Sequence, residues 1–280
     1  MIDPADPDQL IMLLRRHHVE LKHSLGQNFI VDAPMRDRIA DAAGLSSDDE
    51  VIEVGAGAGA LTVALALRCR RVVAVELDRR LIPVLNEVID GVNNVEVVES
   101  DILKLDQAAI FPRGGHVVAG NIPYSLTGAL IRKLLEEPPR PRRLSLVVQK
   151  EVAERWTAST GASLSTVAVQ VFAEAQIVFT IPASAFTPAP KVDSAVVLLD
   201  VRGRPAVNVP DLRDFFRFVE VMFQSRRKQI GGTLGRISRQ GSTESGARLR
   251  KAGIDPARRP QTLSLGEWEI IYQEFRGPDG

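Results

Sequence analysis

The chain has 280 residues, 35 basic and 35 acidic, with 45% hydrophobic and 25% charged side chains, the proportions of a soluble globular protein long enough to bury a full core. Its single cysteine, Cys69, excludes a disulfide framework, an iron–sulfur cluster and a cysteine-rich zinc site. The four histidines (His17, His18, His23, His116) form no HxxxH pair, so no metal site is expected.

The opening MIDPADPDQL carries acids where a secretory signal needs a basic and then an apolar stretch. No run of about 18 apolar residues is present to span a membrane. The expected location is therefore cytoplasmic. An amphipathic stretch follows (Leu10–Arg16), then a loop (His23–Asp32), then a helix from near Ala33, with Asp32 as its cap and Pro34 in its first turn.

From Glu50 to about Lys150, short valine-rich runs alternate with helical patterns. The runs are EVIEV (Glu50–Val54), RVVAVE (Arg71–Glu76), VEVVES (Val95–Ser100), HVVAG (His116–Gly120) and LSLVVQ (Leu144–Gln149). Each has the length and composition of a strand buried on both faces. Between them LTVALALR, RRLIPVLNEVI and LTGALIRKLLEE space their apolar residues as helices do. This alternation predicts an α/β fold, a parallel sheet with helices on both faces.

Two further strands, Ile177–Ile181 and Ala195–Val201, flank the loop PASAFTPAPKVDS, which its three prolines stiffen. A linker (Arg202–Pro210) leads to helical segments at Leu212–Gln224, Gln229–Ile237, Glu244–Lys251 and Leu265–Phe275. The expected division is thus a domain over 1–205 and a small helical domain over 206–280. The zero net charge hides an asymmetry: Val201–Gly280 holds 15 basic and 9 acidic residues, the preceding 200 residues 20 and 26. A basic segment on a mildly acidic body suits a polyanionic partner.

The first strand runs into Glu53-Val54-Gly55-Ala56-Gly57-Ala58-Gly59, and glycines there let backbone turn sharply and approach a ligand closely. Twenty-one residues after Gly55 the second strand ends at Glu76, placed to accept hydrogen bonds from both ribose hydroxyls of a nucleoside. The third ends near Asp101, an acceptor for an adenine amine. Ligands bind at that edge of an open α/β sheet. The adenosine belongs either to a nicotinamide dinucleotide or to S-adenosylmethionine; the G-x-G-x-G spacing leans to the latter without deciding it.

The fourth strand ends in Gly120-Asn121-Ile122-Pro123-Tyr124, and this segment decides. The exocyclic amine of adenine is a poor nucleophile because its lone pair is delocalised into the ring. Two acceptors aimed at its N–H groups favour a pyramidal nitrogen with the lone pair freed. Asn121 supplies a side-chain oxygen, Ile122 its backbone carbonyl, and Pro123 stiffens the turn. Tyr124 offers a face for the base, and the oxygens with that face stabilise the charge developing on nitrogen.

SLGQNFIVD (Ser24–Asp32), EVGAGAGALT (Glu53–Thr62), VELD (Val75–Asp78), GNIPYSLT (Gly120–Thr127), VQKEVAER (Val148–Arg155) and FTPAPKVDSAVV (Phe186–Val197) together resemble the ribosomal RNA adenine dimethyltransferases. The resemblance runs from about Val19 to Phe275. It is strongest to the bacterial members that dimethylate two adjacent adenosines near the 3′ end of small-subunit rRNA.

The resemblance implies a Rossmann-like S-adenosylmethionine-dependent sheet, a role in late small-subunit assembly and a monomer. It also implies roles for residues. Asn28 and Ile30 close over the cofactor, Gly55 (with Gly57 in the same turn) meets its methionine part, Glu76 holds the ribose and Asp101 the adenine. Asn121 lies between cofactor and target base. Tyr124 and Phe186 sandwich that base, consistent with base flipping.

Arg226-Arg227-Lys228, in FQSRRKQIGGTL (Phe223–Leu234), matches the family's basic triplet and reads as a grip on RNA phosphates. Gly231 and Gly232 depart from that pattern and are expected to loosen the helix start, at about 1 kcal/mol each. Rival readings are an adenine methyltransferase of large-subunit rRNA of the antibiotic-resistance type, an NAD-dependent dehydrogenase, and a non-catalytic assembly factor. The dehydrogenase leaves Asn121–Tyr124 without a task, and the intact loop argues against the assembly factor.

Overall fold

The structure is a computed structural model that describes residues 2–20 and 27–276. The chain divides into two compact units, Met1–Glu154 with Glu174–Val201, and Arg155–Ala173 with Arg202–Gly280.

In the first unit α1 (Pro7–Arg16), β1 (Phe29–Ile30) and α2 (Ala33–Ala42) precede the alternating region. That region comprises β2 (Glu50–Val54), α3 (Ala60–Ala66), β3 (Arg71–Glu76), α4 (Ile82–Val88), β4 (Val95–Glu99), α5 (Gln107–Ile110), β5 (Val117–Asn121), α6 (Thr127–Glu136) and β6 (Arg143–Gln149). Then come α7 (Lys150–Thr157), α8 (Leu164–Phe172), β7 (Ala173–Ile181), β8 (Phe186–Thr187) and β9 (Ser194–Val201).

The main sheet has the order β4-β3-β2-β5-β6-β9-β7. β2, β3, β4, β5 and β6 are parallel, and β9 returns antiparallel to β6. The chain steps outward from β2 to β4 and then crosses to the other side of β2 to lay down β5. That reversal opens a crevice at the carboxyl ends of β2 and β5. Val51, Ile52, Val72, Val73, Val117 and Val118 are fully buried, which is why these runs are rich in β-branched residues.

Local chemistry sets the helix starts. Asp6 accepts from the N–H groups of Asp8 and Gln9 at the start of α1, and Asp32 from Met35 N–H, with Pro34 in the first turn of α2. Leu10, Leu13 and Leu14 of α1 then pack with Leu81, Val84 and Val88 at α4.

His116, just ahead of β5, is buried and stacks on Phe111 with ring centroids 4.5 Å apart. Its Nε2 lies 3.3 Å from Gln107 Oε1. Burial lowers its pKa from 6.5 to about 4. A folded value below the unfolded one means that stability is complete above pH 6.5 and is lost as pH falls toward 4. The loss is roughly 3 kcal/mol. Denaturant melts of His116→Phe beside the parent chain are expected to show the parent losing about that much relative to the variant between pH 7 and pH 4.

The second unit takes α8 together with α9 (Leu212–Gln224), α10 (Ile230–Ile237), α11 (Gly241–Lys251) and α12 (Leu265–Arg276). Phe172 of α8 stacks on Phe216 of α9, and Phe215 and Phe218 of α9 meet Tyr272 of α12 edge-on. The expected boundary at 205 lies just past the break at Val201. The stretch 155–173, expected in the first domain, belongs to the second unit because the apolar residues of α8 pack there.

Despite the two glycines expected to loosen it, α10 runs as a continuous helix from Ile230 to Ile237; Gly232 faces open space, whereas Gly231 and Gly235 lie against neighbouring atoms. A Cβ on Gly231 would lie 2.8 Å from Pro256 Cβ, and one on Gly235 would lie 2.5 Å from the backbone of Gly241. Their missing side chains permit close packing, which Ser245 Oγ reinforces by contacting the carbonyls of Gly231 and Gly241 at 2.9 and 2.7 Å.

Candidate active site

A cavity of about 390 Å³ opens at the carboxyl ends of β2, β3, β4 and β5, with residues 27–30 along its wall. The glycine turn forms its floor. Gly55 and Ala56 donate to the Val75 carbonyl at 2.9 and 3.2 Å, and Gly55 and Gly57 have φ of +71° and +59°, where only glycine sits without strain. A Cβ on Gly57 would also lie 3.2 Å from the Phe29 ring.

Glu76 is buried, and its two oxygens accept from Gly57 N–H at 2.7 Å and Asp78 N–H at 2.8 Å. Burial raises its pKa against these bonds. The same carboxylate therefore holds the glycine turn in place and keeps lone pairs for a ligand. Asp101 lines the cavity, with Oδ1 accepting from Leu103 N–H at 3.0 Å.

Asn121 anchors the segment that follows β5. Its Nδ2 donates to the Asn28 carbonyl at 2.7 Å, so its Oδ1 remains available as an acceptor. Ile122 N–H donates to the Val147 carbonyl at 3.0 Å, which fixes the peptide next to Pro123. Asn28, Ile30, Gly55, Gly57, Glu76, Asp101, Asn121 and Ile122 all line this one cavity.

Two expected residues do not line it. Tyr124 is half-buried, and its hydroxyl shares a hydrogen bond with Ser194 Oγ at 3.1 Å. Phe186 is 3% exposed. It pairs with Ile30 in the β1–β8 ladder and belongs to the apolar cluster behind it, where burial of the ring is favourable. Ser24, Leu25 and Gly26 of the quoted loop motif lie outside the described residues.

The cavity also contains residues that sequence reasoning passed over. Glu53 is 1% exposed and its Oε2 has no hydrogen-bond partner among the described residues. Burial, with the Glu76 charge adding to it, raises its pKa to about 8. A neutral acid under the glycine turn, able to ionise toward a positively charged ligand, fits a sulfonium cofactor. Leu77 and Ile102, which directly follow Glu76 and Asp101, add apolar wall to the cavity. Asp78 is held by Arg80 at 2.5 Å and by Gln27 at 2.9 Å, and the Arg80 bond above all keeps its pKa near 2.

In the second unit Arg226, Arg227 and Lys228 are exposed in the turn before α10. Arg227 and Lys228 line a concavity with Gln229, Gly232, Arg236 and Arg259, whereas Arg226 does not. Among the described residues none of these four concavity cations has a carboxylate within 4.0 Å. Arg236 and Arg259 carried no sequence signal, since the fold brings them there from separate segments.

The family model "Ribosomal RNA adenine dimethylase" matches residues 18–276. The chain is 41% identical over 294 residues to ribosomal RNA small subunit methyltransferase A of Pelotomaculum thermopropionicum, covering 100% of both chains. It is 38% identical to the protein of the same name from Shouchella clausii, covering 99% of this chain and 98% of the relative. Among solved structures it is similar to the 23S rRNA methyltransferase ErmE, with a TM-score of 0.68, 31% identity and coverage of 89% of this chain and 99% of that one. With a family match over nearly its whole length, and with Glu76, Asp101 and Asn121 brought to one cavity at the sheet edge, the chain belongs to the ribosomal RNA adenine dimethylases, enzymes that use S-adenosylmethionine.

Proposed function

We propose that this enzyme methylates the exocyclic amines of two adjacent adenosines near the 3′ end of small-subunit rRNA, twice each, on a late assembly intermediate. It would act as a cytoplasmic monomer. The observation that carries the reading is the Asn121 anchor: its amide nitrogen is tied to Asn28, which leaves the amide oxygen as an acceptor at the wall of the cofactor cavity. Full-length likeness to small subunit methyltransferases supports the choice of rRNA. S-Adenosylmethionine supplies an electrophilic methyl group on a positively charged sulfur.

Glu76 orients the ribose, and Asp101 receives the cofactor's adenine amine. Asn121 Oδ1 and the Ile122 carbonyl accept from the target amine, localise its lone pair and stabilise the charge it gains. Tyr124 carries the base on its face, while Phe186, buried in the apolar cluster, supports the loop behind it.

Incubation of the protein with labelled S-adenosylmethionine and either immature small subunits or large-subunit RNA tests the reading. Label on two neighbouring adenosines of the small-subunit RNA is expected. Label confined to large-subunit RNA would favour the alternative that the ErmE likeness raises.

The unpaired cations of the second unit supply the RNA grip. Changing Arg226, Arg227 and Lys228 together to glutamine is expected to weaken RNA binding about tenfold or more at moderate salt. It should also flatten the plot of log affinity against log salt by about 2. Filter binding across a salt series checks this, and an unchanged slope would place the grip elsewhere.

A further inference from the structure

We propose that Ser194 is a positioning residue for methyl transfer, fixing the plane of the Tyr124 ring through the hydroxyl–hydroxyl bond between them. This rests on the reading that Tyr124 carries the target base.

Ser194 opens β9 and is 1% exposed. Its place is set from both directions. It pairs with Gln149 at the end of β6, and the preceding Asp193 accepts from Lys150 N–H through its carbonyl and from Ala183 N–H through Oδ1, at 3.0 and 3.1 Å. The Ser194 hydroxyl is thus held on rigid backbone, and it meets Tyr124 Oη at 3.1 Å. At the other end of that ring, Pro123 restricts the backbone and Ile122 N–H is bonded to β6.

A tyrosine held by its backbone alone still swings about two side-chain torsions. Pinning its hydroxyl removes that freedom before substrate arrives. Immobilising one side chain on binding otherwise lowers the productive population by up to about tenfold. A serine buried this deeply has no access to water, so the tyrosine hydroxyl is also what satisfies it. Neither group exchanges a proton with substrate; the serine acts only through the ring.

The test uses the full chain with saturating S-adenosylmethionine and immature small subunits. Ser194→Ala and Tyr124→Phe are each expected to lower kcat about five- to tenfold while the Kd for S-adenosylmethionine stays unchanged. The double variant should be no slower than either single one, and Ser194→Thr should restore turnover. An unchanged kcat in Ser194→Ala overturns the proposal, as does a double variant whose defect is the product of the two. So does a loss of cofactor affinity in step with turnover, which would mark a purely structural serine. Tyr124→Leu separates the levels. If it turns over normally, the stacking reading itself fails; if it is inactive while Ser194→Ala is normal, only the positioning role fails.

Discussion

Replacing Asn121 by alanine is expected to lower single-turnover methyl transfer by a factor on the order of 10² to 10³, the usual cost of removing one preorganised group that stabilises developing charge. The affinity for S-adenosylmethionine should fall far less than turnover, because Glu76, Asp101 and the glycine turn remain even though the tie to Asn28 is lost. The alanine variant loses both ends of the amide: the oxygen that accepts from the target amine and the nitrogen that holds the Asn28 carbonyl. Asn121→Asp is the sharper comparison. It keeps acceptor oxygens but has no N–H to donate, so its carboxylate would face the Asn28 carbonyl and repel it. Quench-flow with labelled donor, beside equilibrium binding of the same donor, measures both quantities. Turnover at the parent rate in Asn121→Ala would remove the acceptor mechanism.

A second large effect is expected at Glu76. Its oxygens are already bonded to Gly57 and Asp78 N–H groups, so Glu76→Ala removes the ribose contact and the brace beneath the glycine turn together. Hydrogen bonds to a charged group contribute about 1.5–3 kcal/mol each, so cofactor affinity should fall on the order of a hundredfold or more. Glu76→Gln, with one acceptor oxygen, should fall between. RNA affinity should hold in both variants, since the basic concavity lies in the second unit. Calorimetric titration with donor and filter binding with RNA would show the split; the reverse pattern would mean that Glu76 is misassigned.

The sheet was legible in the sequence because buried strands are valine-rich, and the five runs between Glu50 and Gln149 agree with β2 to β6 within a residue or so; β4, however, was expected to be buried on both faces and is an edge strand with no buried residue. Glu76, Asp101 and Asn121 were legible for a related reason: each polar residue stands where an apolar strand stops. The remainder depends on contacts between distant segments. Glu53 reads as an ordinary strand residue until its burial, with no partner for Oε2 among the described residues, is seen.

The α8 sequence LSTVAVQVF has the composition of a strand, yet Ser163 caps it as a helix and its apolar residues pack with α9. Gly231 looked like a weakness because propensity counts only the helix itself, not the Pro256 atoms lying against it. Arg236 and Arg259 join Arg227 and Lys228 only through the fold.

The ladder of Phe29–Ile30 against Phe186–Thr187 stands apart from the main sheet and joins two loops far separated in the chain. Ile30 walls the cofactor cavity, and Phe186 begins the proline-rich loop. The two loops are therefore one mechanical part: slack introduced in either is shared by both. Variants made in them belong to a single thermodynamic cycle, and a defect in donor retention caused by an exchange near Pro188 is no sign that Pro188 touches the donor.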